Sequence, residues 1–140
     1  MIVHITDPKF VFIHIPKTAG SSFRTSLYEN FDNENLKNFD LNQHITANEL
    51  HQFFNKNSLN WDEYFKFSFV RNPWSRIVSY YEYQFKEHIT FSSFCKTSKD
   101  SQLAYLTNKE SDILVDFIGK FENLQEDSNT IFDKIGVPQQ

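Results

Sequence analysis

The sequence has little cysteine and no long hydrophobic run. Cys95 is its one cysteine, which excludes an internal disulfide and a cysteine-based zinc site. We expect this thiol to be buried and inert, and a lone thiol favours a reducing cytoplasm. No stretch reaches the roughly 18 apolar residues that a membrane-spanning helix requires. Residues 1–10 lack the basic start and apolar region of a secretory signal, so the sequence predicts a cytoplasmic protein without a membrane partner.

The sequence also has no excess of basic residues. The 14 lysines and arginines face 18 aspartates and glutamates, for a formal net charge of −4. This balance argues against nucleic acid or a heavily sulfated polymer as a general partner, so any anion site must be a local cluster of basic groups. What is present is 39% hydrophobic residues, with 16 phenylalanines, over 140 residues. That composition predicts one globular domain over residues 1–140 with a phenylalanine-rich core.

The first candidate site is a polar loop between a strand and a helix. Residues 10–15 are aromatic and β-branched, as in a buried strand, and Pro16 ends that run. Apolar residues at helical spacing then predict a helix over residues 21–31. Such a turn directs free backbone N–H groups and a positive helix end towards one small volume, to which Lys17 adds a full charge. We therefore expect a phosphate or a sulfate ester to bind here.

The loop departs from the usual nucleotide-binding pattern. In that pattern a lysine follows a second glycine, whereas Lys17 precedes Gly20, the glycine of this loop. The order argues against an ordinary ATP or GTP site. A strand–loop–helix turn with one lysine can also be purely structural, so the prediction of an anion site depends on a second site further along the chain.

A second strand-to-helix turn is predicted after residues 65–70. Asn72 suits the N-cap of the next helix, and Pro73 suits its first position. Helical spacing places the apolar residues of this helix on one stripe: Trp74, Ile77, Val78, Tyr81 and Phe85. The pattern therefore predicts an amphipathic helix directly after the turn.

Polar residues around this second turn could hold a second phosphate. They are Arg71 at the strand end and two serines one turn apart, Ser75 and Ser79, beside a helix N-terminus. The structural alternative is that Arg71 caps a neighbouring helix or pairs with a carboxylate. Arg76 is expected to project towards the far polar face and to form surface ion pairs only.

Local signals also organise the remaining chain. Thr46 and Glu49 form a capping box that predicts a helix to about residue 55, and His44 lies on the loop directly before it. Residues 32–42 are dense in asparagine and aspartate and predict a loop.

The two ends of the chain have simpler expected roles. Residues 1–9 are expected to be a short lead-in to the first strand. Residues 114–121 predict a further sheet strand, followed by a final helix that Gly136 ends.

The two strand-to-helix motifs resemble those of a known enzyme family. PKTAGSS after one strand and FVRNPWSRIVSYY after another are similar to the motifs of sulfotransferases that use 3′-phosphoadenosine 5′-phosphosulfate (PAPS). The similarity is greatest to the carbohydrate type of the heparan 2-O- and chondroitin sulfotransferases, and it continues at residues 101–106 and 114–127. The resemblance implies a three-layer α/β/α fold with a parallel sheet, of the P-loop NTPase-like sulfotransferase type.

The resemblance also assigns each end of PAPS to one turn. The 3′-phosphate belongs to Arg71 and Ser79. The 5′-phosphosulfate belongs to the first loop, with side-chain, hydroxyl and backbone contacts from Pro16, Lys17, Thr18, Ala19, Gly20, Ser21 and Ser22.

The chemistry expected of such an enzyme fits the residues present. A sulfuryl group carries less negative charge than a phosphoryl group, so we expect no metal, and no acidic motif stands at a strand end beside the first loop. Lys17 and backbone N–H groups would stabilise the charge on the sulfuryl oxygens and the leaving phosphate. His44 is the candidate general base, because a histidine in a similar place has that role in the family. A loop histidine can also be merely solvated, and His14, inside the first strand, is assigned a structural role.

One departure from the family keeps alternatives open. Relatives usually continue well beyond the position of Gln140, so we expect a minimal member, a wall supplied by another subunit of a homo-oligomer, or a reduced binding protein. The leading hypothesis is sulfuryl transfer from PAPS to a hydroxyl of a small molecule or glycan, with a carbohydrate favoured. The alternatives are a non-catalytic module that binds a nucleotide or sulfated ligand, and a small nucleotide kinase, which the missing Walker order disfavours.

Overall fold

A five-stranded sheet runs through the computed structural model, which describes residues 1–97 and 101–137. The strands are β1 (Ile2–His4), β2 (Phe10–Ile13), β3 (Leu36–Lys37), β4 (Phe65–Val70) and β5 (Phe117–Lys120). They lie in the order β3-β1-β2-β4-β5. Strands β2, β4 and β5 are parallel, whereas β1 pairs antiparallel with both β2 and β3. The predicted α/β fold with parallel strands is confirmed, and the sheet as a whole is mixed because of its antiparallel edge.

Helices cover the sheet and connect its strands. The α-helices are α1 (Gly20–Asn30), α2 (Ala47–Lys56), α3 (Pro73–Gln84), α4 (Phe91–Thr97) and α5 (Leu124–Ile135). Short 3-10 helices lie at Trp61–Glu63, Leu103–Tyr105 and Phe121–Asn123. Within residues 1–97 and 101–137, no helix combines the length and the apolar character that crossing a membrane demands.

The predicted helix ends are confirmed where the sequence carries a capping signal. The N–H of Glu49 donates to Thr46 Oγ1 over 3.2 Å, and the N–H of Thr46 donates to Glu49 Oε2 over 3.0 Å, which together form the capping box of α2. Helix α5 ends at Gly136, whose φ of 77° is the left-handed conformation that glycine adopts without strain.

Alternate residues of β2 face the two sides of the sheet, and each side has its own core. Val11 and Ile13 pack in one core with residues of α2. Phe10 and Phe12 pack in the other core with residues of α1 and α5. Phe12 stacks on Phe67 of β4 with 5.4 Å between ring centroids, and rings of this kind dominate that second core. The helices therefore form the outer two of three layers around the sheet, as expected.

The prediction that residues 1–9 are only a lead-in is wrong. Ile2 and Val3 belong to β1 and pair with Phe12 and Val11 of β2. Both residues are buried, one in each core. Three residues are too few to show the alternating pattern of a strand in the sequence. The strand is evident only from its pairing with β2 and β3. The loop predicted at residues 32–42 likewise contains β3.

Helix α3 does not bury the apolar stripe that its sequence predicts. Trp74 is 78% exposed and Val78 is 47% exposed, whereas Arg76 is only 5% exposed. The helix follows directly from the end of β4 and packs mainly against α4, where the rings of Phe85 and Phe94 lie 4.9 Å apart. The apolar stripe therefore has too small a partner to be covered.

Cys95 lies on α4 and is exposed, so the expectation of a buried thiol is wrong. Like α3, helix α4 has little of its surface covered by other elements. Phe94 is the one buried residue within Phe91–Thr97, so the neighbouring Cys95 stays exposed.

Candidate functional site

The turn between β2 and α1 has a backbone shape that suits an anion. Lys17 (φ 64°) and Ala19 (φ 69°) both lie in the left-handed region, where a residue with a side chain costs about 1–2 kcal/mol. Ala19 is the N-cap of α1 and supplies no side-chain cap, so the first N–H groups of that helix keep their hydrogen-bonding capacity. Turns of this kind can direct successive N–H groups at one anion. The predicted strand–loop–helix turn is present.

This first turn borders a cleft of about 470 Å³. Its walls are His14, Pro16, Lys17, Ser21, Gln43, His44, Tyr80, Tyr83 and Gln84. The fold therefore brings together Lys17 and His44, which come from separate parts of the sequence. The ring of Tyr83 lies with its centroid 4.3 Å from Lys17 Nζ. Tyr83 escaped the sequence analysis, although it follows Arg76 by seven residues and so shares one face of a helix with it.

The hydroxyl groups of two predicted ligands face away from this cleft. Thr18 is buried, and its Oγ1 donates to the carbonyl oxygen of Ile15 over 2.8 Å. Ser22 lines a different depression, which it shares with Phe132 of α5. For Thr18 and Ser22, the backbone N–H remains as the group that could bind an anion in the first turn.

A close approach between His14 and Gly20 fixes the position of the first turn. A Cβ atom on Gly20 would lie 1.9 Å from Cδ2 of His14, so only glycine leaves room for the ring. The ring stacks on Phe12 with 5.7 Å between centroids and meets His44 edge-on at 4.7 Å. Burial, with a smaller effect of nearby cationic groups, lowers the pKa of His14 to about 3. His14 is therefore a neutral packing residue at physiological pH, in agreement with the structural role predicted for it.

A backbone carbonyl holds the ring of His44 in one tautomer. Its Nδ1 lies 2.9 Å from the carbonyl oxygen of His14. A carbonyl oxygen only accepts, so Nδ1 carries the proton and Nε2 of the neutral ring is the acceptor. The backbone N–H of His44 also donates to Asn42 Oδ1 over 2.8 Å, which fixes the loop before α2.

The second turn places its predicted polar residues around one shallow cleft of about 530 Å³. The cleft is lined by Arg71, Trp74, Ser75, Val78 and Ser79. Asn72 caps α3 as predicted, because its Oδ1 accepts from the N–H groups of Trp74 and Ser75 at 3.0 and 3.2 Å. Arg71 and Ser79, which the sequence predicts to form one anion site, thus line the same cleft.

Arg71 retains a donor that could serve a ligand. Its Nε is buried and finds no hydrogen-bond acceptor among the described residues. Its guanidinium lies over the ring of Phe121 at 4.2 Å, and Nη1 donates to the carbonyl oxygen of Lys17 over 3.4 Å. No ion pair with a carboxylate is found for Arg71 in the ranges that the structure covers. The N–H of Asn72, and with a smaller effect the charge of Arg71, lowers the pKa of the Glu122 carboxyl. The Nε of Arg71 still finds no acceptor in the described part of the chain, and a buried donor in that state fits an anionic ligand.

The backbone of Arg71 is positioned by Gln102, for which the sequence predicts no role. The N–H of Arg71 donates to Gln102 Oε1 over 2.8 Å, and Gln102 Nε2 donates to the carbonyl oxygen of Arg71 over 2.7 Å. This paired contact spans 31 residues, so no local sequence signal predicts it.

The expectation that Arg76 points to a polar surface is wrong. Arg76 is buried, and its Nε donates to the carbonyl oxygen of Pro16 over 2.9 Å. The prediction failed because it took the apolar stripe of α3 as the buried face of that helix. The face that meets the first turn instead carries Arg76, Tyr80 and Tyr83.

Comparison with known proteins identifies the family. A family profile described as "Sulfotransferase family" matches residues 1–140. The chain belongs to the sulfotransferase family. Both turns of the site lie within the matched range. Among residues 1–97 and 101–137, this sulfotransferase has no group of three or more histidine, cysteine, aspartate or glutamate residues that could hold a metal ion.

A relative of this sulfotransferase occurs in an archaeon. An uncharacterized protein of Archaeoglobus fulgidus is 35% identical over 89 residues, which cover 57% of this chain and 74% of the relative. No solved structure matches the chain. The family assignment therefore rests on the profile, and the roles of individual residues have to be argued from the site itself.

His14 makes the stability of the sulfotransferase depend on pH. Its pKa is about 3 in the folded chain and about 6.5 when unfolded. The unfolded state binds the extra proton between these values, so the stabilisation is complete above pH ~6.5 and is lost as the pH falls towards 3. Between pH 7 and pH 5, His14→Gln should lose about 2 kcal/mol less stability than the wild type. Urea unfolding at both pH values measures this difference, and equal losses would contradict a buried, neutral His14.

Proposed function

We propose that this sulfotransferase transfers a sulfuryl group from PAPS to a hydroxyl group of an acceptor, and that the acceptor is a carbohydrate. The observation that carries the proposal is the pairing of two anion-binding turns at one edge of the sheet. The first has Lys17 beside an uncapped helix start, and the second has Arg71 with a buried donor that finds no acceptor among the described residues. A ligand with two separated anionic groups matches that pair, and PAPS carries one at each end of its adenosine.

The first turn is proposed to hold the 5′ end of PAPS. When bound, PAPS supplies an activated sulfuryl group and a phosphate that gains negative charge as it leaves. Lys17 and the N–H groups at the start of α1 stabilise that charge. Ser21 lies on the wall of the same cleft and can donate a hydrogen bond from its hydroxyl. Their effect is largest in the transition state, where the leaving charge is greatest.

The second turn is proposed to hold the 3′-phosphate. Arg71 and Ser79 share one cleft, and Ser75 stands one turn before Ser79 on α3. Asn72 caps the helix with its own side chain, so the anion is bound by side chains more than by the helix end. The strongest contact comes from the charge of Arg71 and from its Nε, which has no acceptor within residues 1–97 and 101–137.

His44 is proposed as the general base towards the acceptor hydroxyl. Its Nε2 is the accepting nitrogen, and the residue lines the Lys17 cleft as well as an adjoining cleft of about 640 Å³. The adjoining cleft contains Asn42, Glu49 and Tyr105, which can hydrogen-bond the hydroxyl groups of a sugar. His44 thus stands between the proposed donor and acceptor sites.

Turnover of labelled PAPS against a panel of glycans and small alcohols tests the function. Transfer of label to an acceptor without added metal supports the enzyme. Binding of the product nucleotide without any turnover would favour a non-catalytic binding module. A preference for ATP with magnesium would favour a kinase. Cytoplasmic location and self-association stay expectations drawn from the sequence.

The assignment of Arg71 predicts how the ligand's phosphates contribute to binding. 3′-Phosphoadenosine 5′-phosphate (PAP) should raise the melting temperature without metal, by mass action on the folded state. Adenosine 5′-phosphosulfate, which has no 3′-phosphate, should bind more weakly. Arg71→Ala should remove about 1.5–3 kcal/mol of PAP binding and most of the difference between the two ligands. Lys134→Ala, on the exposed end of α5, is the control for lost charge. Equal affinity of the wild type for both ligands would remove Arg71 from this role.

The assignment of Lys17 predicts a kinetic signature. Because its charge acts mainly on the leaving phosphate, Lys17→Ala should lower kcat more than it weakens PAP binding. Saturation kinetics with PAPS and a separate PAP titration measure the two effects. Lys9→Ala, at a distant ion pair with Glu63, should change neither. A Lys17 variant that loses only affinity and keeps its turnover at saturation would make Lys17 a binding residue.

The assignment of His44 predicts a large loss of rate. His44→Ala should lower kcat by roughly 10²–10⁴-fold, the usual span for general acid–base catalysis. His44→Asn could keep a donor towards the His14 carbonyl while removing the base, so it should lose as much. His88→Ala, at an exposed site, should retain full activity. Variants of His44 within a few-fold of the wild type on a verified acceptor would show that the base lies elsewhere.

A further inference from the structure

A hydrogen bond from a buried arginine joins the second turn to the first. Arg76 lies near the N-terminus of α3 and is only 5% exposed. Its Nε donates to the carbonyl oxygen of Pro16 over 2.9 Å, across 60 residues of chain.

This contact fixes the direction of a peptide group in the first loop. A trans peptide is planar, and its C=O and N–H groups point in opposite directions. The Pro16 carbonyl belongs to the same peptide unit as the N–H of Lys17. By binding that carbonyl, Arg76 therefore orients the N–H of Lys17 and the start of the Lys17 backbone.

The next peptide unit is bound in the same way by the other arginine. Arg71 Nη1 donates to the carbonyl oxygen of Lys17 over 3.4 Å, which orients the N–H of Thr18. The hydrogen bond of Arg76 is shorter than that of Arg71, at 2.9 Å against 3.4 Å, so it constrains the loop more tightly.

The loop has a physical need for this constraint. Lys17 and Ala19 hold left-handed conformations although neither is glycine, and such conformations persist only where the surrounding structure enforces them. A guanidinium stays charged at all relevant pH values and donates in a fixed geometry. A donor on α3 can therefore hold the first turn in its anion-binding shape.

We propose that Arg76 is a positioning residue: it holds the peptide between Pro16 and Lys17, and thereby keeps the first turn ready for the 5′ end of a nucleotide. The inference rests on the proposed function for the identity of the ligand. Arg76 acts through the first loop, so its loss should weaken binding of the 5′ end of the ligand only.

Nucleotides that carry a single phosphate test this role. Without Arg76 the loop spends time in relaxed conformations, and the apparent affinity falls with the binding-competent fraction. Arg76→Ala should weaken PAP and adenosine 5′-monophosphate by about tenfold. Adenosine 3′-monophosphate, which uses the second turn, should change by less than about twofold. Isothermal titration with the three nucleotides measures these affinities.

Matched variants separate the hydrogen bond from the charge. Arg76→Lys keeps the charge but replaces the rigid guanidinium with a flexible ammonium, so it should restore only part of the affinity that Arg76→Ala loses. Arg76→Met has neither charge nor donor and should behave like Arg76→Ala. Lys86→Ala removes a positive charge from an exposed position just beyond α3 and should alter none of the affinities. If Arg76→Ala weakens the 3′- and 5′-monophosphates equally, Arg76 has a general structural role and the proposal is wrong.

Hydrogen exchange of backbone amides tests the same role without a nucleotide. Arg76→Ala, or Arg76→Met if the alanine variant does not fold, should accelerate exchange by at least about tenfold at Phe23, whose N–H donates to the Ala19 carbonyl oxygen at the end of the first turn. Exchange in α2 and α5 should stay as in the wild type. Unchanged exchange at Phe23 would overturn the proposal. A wild type that binds none of the three nucleotides would overturn the proposed function, and the exchange result would still decide the role of Arg76.

Discussion

The parallel pairing of β2 with β4 is the constraint on which the site depends. Ile13 lies opposite Ser68 in this pair, and the Ser68 hydroxyl donates to the Ile13 carbonyl oxygen over 2.7 Å inside the core. Parallel neighbours end at the same edge of a sheet, so the turns that follow them emerge side by side. This arrangement allows Arg71 and Arg76, more than 50 residues away in sequence, to reach the carbonyl oxygens of the first loop. An antiparallel order would place the two turns at opposite ends of the sheet.

The sequence predicts the fold best where its signals are local. The capping box of Thr46 and the N-cap at Asn72 depend on residues within one helical turn, and both are present in the structure. The burial of Arg76 and the exposure of Trp74 depend instead on what packs against α3, and helical periodicity cannot supply that information. The stripe of α3 is apolar, but the short helix α4 that packs against α3 is too small to cover it.

The site shows the same division between local and tertiary information. Lys17 and the two strand-to-helix turns follow from sequence pattern, and the resemblance to a family added His44. The close approach of Gly20 to the His14 ring could not be read from the loop, because the loop alone gives no reason for glycine beyond small size. Thr18 shows the opposite error: a hydroxyl that the motif offers to a ligand is instead bonded to the Ile15 carbonyl. Motif membership therefore identifies a loop, and tertiary contacts determine which atoms of that loop remain to bind.

The cations at this edge differ in how firmly they are held, and the difference suits their proposed roles. Lys17 Nζ lies over the exposed ring of Tyr83, an interaction worth about 0.5–1 kcal/mol at such a site. A hydrogen bond to a charged group contributes about 1.5–3 kcal/mol, so an anion in the cleft can draw Lys17 away from the ring. Arg76 is buried and donates to the Pro16 carbonyl oxygen, so breaking that contact would leave a buried charged donor short of one hydrogen bond. The lysine can therefore follow a charge that develops during reaction, while the arginine keeps the loop beneath it fixed.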